Sequence, residues 1–158
     1  DLIGALLLTQ FVGIPFSLAF GQLAKRLGRK PSIYLALGVY TLISIGGYFM
    51  SEAWHFWVLA GMVGLVQGGS QALSRSMYGA MAPKAKTGEF FGFYDMSSKF
   101  AGIVGPLVFG LVGQLTGSSR LSIVSIVIFF IVGGLLLTTV NEQDGIRVAQ
   151  EENAAASL

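Results

Sequence analysis

The chain has 158 residues, of which 53% are hydrophobic and 11% charged, and its mean hydropathy is +0.70. Soluble domains carry roughly 25% charged residues, so a soluble globular domain is excluded and the chain reads as an all-α membrane protein. It has no cysteine and a formal charge of only +2, which removes disulfides, thiol nucleophiles and cysteine metal sites and gives no reason to expect a nucleic-acid partner.

The chain begins with Asp1 rather than Met, and its first apolar window lacks a basic leader and a cleavage site. It is therefore expected to be a fragment whose start lies upstream, not a chain opening on a signal peptide. A spanning helix needs about 20 mostly apolar residues at 1.5 Å rise each. The first such window is residues 2–20, closed by the basic loop "GQLAKRLGRK". The second, residues 31–50, opens with Pro31, where a helix tolerates proline, and leads to the short turn "SEAWHF". Residues 54–73 form a third span and "SRSMYGAMAPKAKTGEF" a longer loop. A fourth runs over 90–115, or starts only at Phe100. After "TGSSR" the fifth, 121–140, carries no charge. The polar stretch 141–158, "NEQDGIRVAQEENAAASL", is expected to be a frayed or disordered cytoplasmic tail.

Positive residues near span ends are retained in the cytoplasm. Lys25, Arg26, Arg29 and Lys30 fall in the first loop and Arg75, Lys84 and Lys86 in the third, against none in the second and Arg120 alone in the fourth. The first and third loops are thus expected to be cytoplasmic, the N-terminus outside and the tail inside. Trp54 and Trp57 then mark the outer interface, where aromatic belts lie.

At 100° per residue, Gln67, Ser70, Gln71 and Ser74 fall within about a third of the third helix's circumference, with Gly64 beside them. Gln10, Gly13, Ser17 and Gly21 make a weaker stripe on the first. On the fourth, Asp95 and Lys99 line up with Gly102, Pro106, Gly110 and Gly113. Small residues there, Gly105 included, let another backbone approach closely. The second and fifth spans show no charge or amide and are expected to be peripheral and lipid-facing. The Gln and Ser stripe has two readings, interhelical hydrogen bonding or lining of a solute pathway, the pathway candidates being Gln67, Ser70, Gln71, Ser74 and Gln10. His55 stands alone, with no second ligand at metal spacing, and is expected to be a solvated interfacial residue.

Asp95 and Lys99 also have two readings. If the span starts at Phe90, Lys99 lies roughly 13 to 15 Å along it, where a bare charge is costly and Asp95, one turn earlier, is placed to pair with it. If it starts at Phe100, about 18 uncharged residues suffice to span and Lys99 reaches for the cytoplasmic edge. Asp95, Lys99, Lys25, Arg26, Arg29 and Lys30 are the gating or coupling candidates.

"GQLAKRLGRK" resembles the Gly, basic, Gly, Arg, Lys loop between the second and third helices of each half of a major facilitator superfamily transporter. "GIVGPLVFG" resembles the Gly-Pro segment of the fifth helix of such a half. Residues 61–120 are similar to the vacuole-effluxer-like branch, whose members occur in bacteria and fungi. The resemblance implies that the spans are five helices of the C-terminal six-helix bundle, the third lining the cavity and the first and fourth facing a missing N-terminal half. It further implies alternating access for a small polar solute such as an amino acid, with Asp95 as the candidate carrier if protons are coupled, in a bilayer such as a bacterial inner membrane. Where the family loop carries Asp, this chain has Lys25, so either the loop has lost that latch or another acid, Glu89 or Asp95, pairs with the basic loop in its place, the second reading being the favoured one. The competing class is a non-transporting membrane subunit. No paired acids, metal cluster or activated nucleophile appears in the spans, so neither an enzyme nor a cofactor is expected.

Overall fold

The computed structural model describes residues 2–156, and these form helices with no strand among them. In chain order they are α1 (Leu2–Leu27), α2 (Arg29–Tyr48), α3 (Ala53–Ala80), a 3-10 turn (Lys84–Lys86), α4 (Thr87–Thr116), α5 (Ser119–Thr139) and α6 (Glu142–Ala155). The first five, α1 to α5, are long and apolar enough to cross a membrane. Asp1, Ser157 and Leu158 of the expected N-terminus and tail lie outside the described residues.

The breaks fall where the backbone chemistry demands them. Gly28, between α1 and α2, has φ 95°, a conformation that strains any side chain-bearing residue. The Ser32 hydroxyl, wholly buried, donates back to its carbonyl at 2.8 Å. Pro83, which has no N–H to continue a helix, separates α3 from the 3-10 turn. Ser118 caps α5 by accepting from the Leu121 N–H.

Helix extents differ from the hydropathy windows at the polar ends. Most of the expected 74–90 loop is helical, because no proline interrupts the chain between Ala53 and Pro83 and α4 starts at Thr87. The tail expected to fray is α6 instead. Asn141 caps it, its side-chain carbonyl accepting from the Asp144 N–H and its amide donating to the Asp144 carboxylate at 2.6 Å. Glu142 and Asp144 occupy the first turn, where carboxylates complement the helix dipole.

Two ends of the bundle are distinct. At one, the Arg120 guanidinium donates to the Met50 carbonyl at 3.2 Å, and Trp54 stacks on His55. At the other lie residues 25–30, 81–87 and α6. These are the tryptophan end and the basic end. His55 is not merely solvated: its Nδ1 accepts from the Glu52 N–H at 3.1 Å, completing a cap on α3.

The core lies between α1, α2 and α3, around Phe20, Ile33, Ala36, Val66, Leu73 and Met77. α2 packs further on α5, with Tyr40 stacked on Phe130 at 5.3 Å. Leu35 and Leu42 of α2, and Ile128, Ile131 and Leu135 of α5, are exposed, as lipid-facing residues are. α4 has no buried residue at all and packs mainly on α5.

Candidate functional site

α1 and α3 lie side by side and parallel, brought there by small residues. A Cβ on Gly4 would meet the Trp57 ring at 2.7 Å, one on Gly64 the Thr9 carbonyl at 2.7 Å, and one on Gly69 the Phe20 side chain. The Thr9 hydroxyl shares its proton between the carbonyls of Ala5 at 2.9 Å and Ala60 at 3.1 Å, tying the two helices. The tightest glycine approaches between spanning helices are therefore those of α1 and α3; on α4 a Cβ at Gly113 would lie 3.0 Å from the Ser122 hydroxyl of α5. Gly102, Gly105 and Gly110 of α4 meet nothing within 4 Å among the described residues, and the exposed Pro106 shares that open face.

Between α1 and α3 the polar residues line a groove of about 340 Å³, walled by Thr9, Gln10, Gly13, Ser17, Gln67 and Gln71. Toward the basic end it runs into a second groove of about 430 Å³ that shares Ser17 and Ala72 and includes Lys25, Arg29 and Ser76. Adjoining the first groove, and sharing Gly68, Gln71 and Ala72 with it, is a cleft of about 570 Å³ facing α4, lined further by Arg75, Tyr94, Asp95 and Ser98. The three hollows form one polar tract around α3. Gln10, Gln67 and Gln71 share it. Ser70 turns away, its hydroxyl donating to the Gln67 carbonyl at 3.1 Å and lying 3.5 Å from the Tyr40 hydroxyl on α2. Ser74 is half-buried and lines none of the three hollows.

Asp95 does not pair with Lys99. Its carboxylate lies 3.7 Å from the Arg75 guanidinium, across the cleft, because Arg75 is drawn over α4 by two aromatic faces: its Cζ is 5.3 Å from the Phe91 ring centre and 6.0 Å from that of Tyr94. Below it the Tyr78 hydroxyl donates to the Phe90 carbonyl at 3.0 Å, and its ring packs on Phe90, Phe91 and Tyr94. This knot joins α3 to α4 at the basic end, and the cleft opens beyond it. By charge alone Arg75 marks only a cytoplasmic loop end. The signal that finds it is spacing, since Gln67, Gln71 and Arg75 recur every four residues along one slowly turning stripe.

The acid that answers the basic loop is Glu142, not Glu89 or Asp95. Its carboxylate sits 2.7 Å from the Arg29 guanidinium, delivered there because α5 returns the chain to the basic end just before α6. Lys30 donates to the carbonyls of Thr138 at 3.3 Å and Val140 at 2.7 Å, closing the last turn of α5. Lys25 lines the second groove, while Arg26 and Lys99 are exposed. Among the described residues, no group of His, Asp or Glu converges as a metal site.

Comparison with known proteins places this architecture. The family model described as vacuole effluxer Atg22-like matches residues 1–150. The chain is 41% identical, over 94% of its own length and 35% of the relative's, to the uncharacterized MFS-type transporter YxiO of Bacillus subtilis. It is 31% identical to autophagy-related protein 22 of Eremothecium gossypii, over 77% of this chain and 23% of that protein. The chain thus spans about a third or less of the length of these curated relatives. No solved structure matches. With a family match over nearly its whole length, the chain belongs to the vacuole effluxer Atg22-like family.

Proposed function

We propose that this chain is the greater part of one bundle of a secondary transporter that moves a small polar solute by alternating access. The observation that carries the reading is the polar tract around α3, in which Gln10, Gln67 and Gln71 lead to an interhelical charge pair within spans whose exposed faces are otherwise mostly apolar. Neutral amides and hydroxyls suit a hydrogen-bonding solute such as an amino acid, and the family's vacuole-effluxer description supports export across a membrane. A second bundle would close the open side of the tract, facing α1 and the bare glycine face of α4. The basic end is assigned to the cytoplasm, in a bacterial inner membrane, because Lys and Arg are concentrated there.

Helix rise supports a depth for the charge pair. α3 carries Arg75 about 32 Å from Trp54, and α4 carries Asp95 about 32 Å and Lys99 about 26 Å from Thr116 at the tryptophan end. A hydrocarbon core of about 30 Å then puts the pair at the cytoplasmic boundary, below a pathway of neutral amides. There it acts as a gate, closed by a contact weak enough to break: exposed ion pairs are worth about 0.2 to 1 kcal/mol.

The test is reconstitution of the full-length protein in liposomes, with counterflow of radiolabelled neutral amino acids, sugars and organic acids. Saturable exchange of amino acids is expected. No saturable exchange of any polar solute would contradict transport.

A further inference from the structure

We propose that α6 is a salt-releasable strap that holds the turn between α3 and α4, the hinge of the charged cleft. This goes beyond the transport reading and does not depend on it.

The helix lies across the basic end with one continuous face turned inward. Glu142, Gly145, Ile146, Ala149 and Asn153 recur at helical spacing and are its buried or half-buried residues. The near end is fixed: Glu142 holds Arg29 at 2.7 Å, with the two side chains 20% and 37% exposed, and the chain connects directly to α5. Midway, Gly145 sits so close to Met81 that a Cβ there would lie 2.7 Å from the Met81 side chain, and Ala149 is 3% exposed. The far end reaches the 3-10 turn. The Lys84 N–H donates to the Asn153 side-chain carbonyl at 2.8 Å, and Lys86 pairs with Glu152 at 3.3 Å.

The two ends differ in how firmly they hold. The Lys86 and Glu152 side chains are 53% and 45% exposed, so salt screens their attraction far more than that of the near pair. The far end is therefore the one that lets go. What it holds is the segment 81–87, which joins the helix bearing Arg75 and Tyr78 to the one bearing Phe91, Tyr94 and Asp95. With α6 docked, that hinge is pinned to the α1–α2 turn. With its far end released, α3 and α4 are free to change their angle about the aromatic knot.

Amide hydrogen exchange reads this directly, because the Lys84 N–H is hydrogen-bonded by α6 itself. The experiment uses the full-length protein in nanodiscs, at low salt and at about 0.5 M salt. We expect Glu152→Lys, which puts two positive charges together, to speed exchange across residues 82–88 about fivefold at low salt, high salt to speed it about twofold to fivefold in the unmodified protein, and the double reversal Lys86→Glu with Glu152→Lys to restore protection. Gly145→Leu, which drives a side chain into Met81, should speed exchange at both salt concentrations. Unchanged exchange in Glu152→Lys, or a gain that the double reversal leaves in place, would overturn the strap. So would loss of protection spread evenly over α1 to α5, which would make α6 a general folding element.

Discussion

Arg75 of α3 and Asp95 of α4 meet across a cleft at 3.7 Å, with the guanidinium laid over the ring of Phe91. Their helices touch firmly only at the knot beneath them, so the pair is the highest point at which α3 and α4 are bridged by charge on the way to the tryptophan end. An exposed pair of this kind adds about 0.2 to 1 kcal/mol, too little to be kept for stability.

The first prediction separates those roles. Arg75→Ala should leave the thermal midpoint of the full-length protein within about 3 °C, since such a loss is small against a large protein's unfolding entropy, yet lower solute exchange roughly tenfold. Exchanging the charges, Arg75→Asp with Asp95→Arg, should recover part of the lost rate. Equal exchange in Arg75→Ala and the unmodified protein would make the pair incidental.

A second prediction concerns packing. Gly64→Val pushes a side chain against the Thr9 backbone, which cannot yield as a flexible side chain does, and overpacking of this sort costs about 1 to 3 kcal/mol. Gly102→Val meets open space among the described residues. Fluorescence-detected thermal denaturation in detergent should therefore show a clear loss for Gly64→Val and little for Gly102→Val. If the glycine face of α4 meets a second bundle, Gly102→Val should instead reduce solute exchange. Equal stability of the two variants would remove the close α1–α3 approach from the account.

Depth gives a third. The chain has no cysteine, so Lys99→Cys introduces a single thiol into it. With Lys99 about 26 Å from the tryptophan end, a membrane-impermeant thiol reagent should label it from the side on which Lys84→Cys is labelled. Labelling only from the opposite side, or none in any transport state, would return Lys99 to mid-bilayer.

Much of this fold is legible in the sequence, for a physical reason. A bilayer demands long apolar helices with satisfied backbones, so the five spans stand out as runs, and period alone puts Gln67 and Gln71 on one face. The helix ends are not legible in the same way, because hydropathy reports where the apolar stretch stops and not where hydrogen bonding stops. α3 continues through "SRSMYGA" to Ala80 for that reason. α6 is hidden because its composition resembles that of a solvated tail, and its stability comes from docking on Arg29, Met81 and Lys86. Its one local sign is Asn141 followed by two acids in the first turn. Arg75 and Asp95 are far apart in sequence, and neither charge names its partner. Spacing alone favours a pairing of Asp95 with Lys99. In the fold Asp95 meets instead an arginine from the facing helix, held in place by aromatic rings that the sequence shows only as apolar residues.

We propose that the amides between α1 and α3 line the solute pathway rather than hold helices together. Gln67 and Gln71 face the groove, whereas Ser70 is spent on α2, so the residues can be told apart. The most direct measurement is the concentration dependence of amino-acid exchange in liposomes bearing the full-length protein with Gln67→Ala, Gln71→Ala or Ser70→Ala. Each lost solute hydrogen bond is worth about 0.5 to 1.5 kcal/mol, so the glutamine variants should raise the half-saturating concentration roughly threefold to tenfold, and Ser70→Ala should leave it unchanged. Unchanged half-saturation in both glutamine variants, with a drop in thermal stability in its place, would contradict the account.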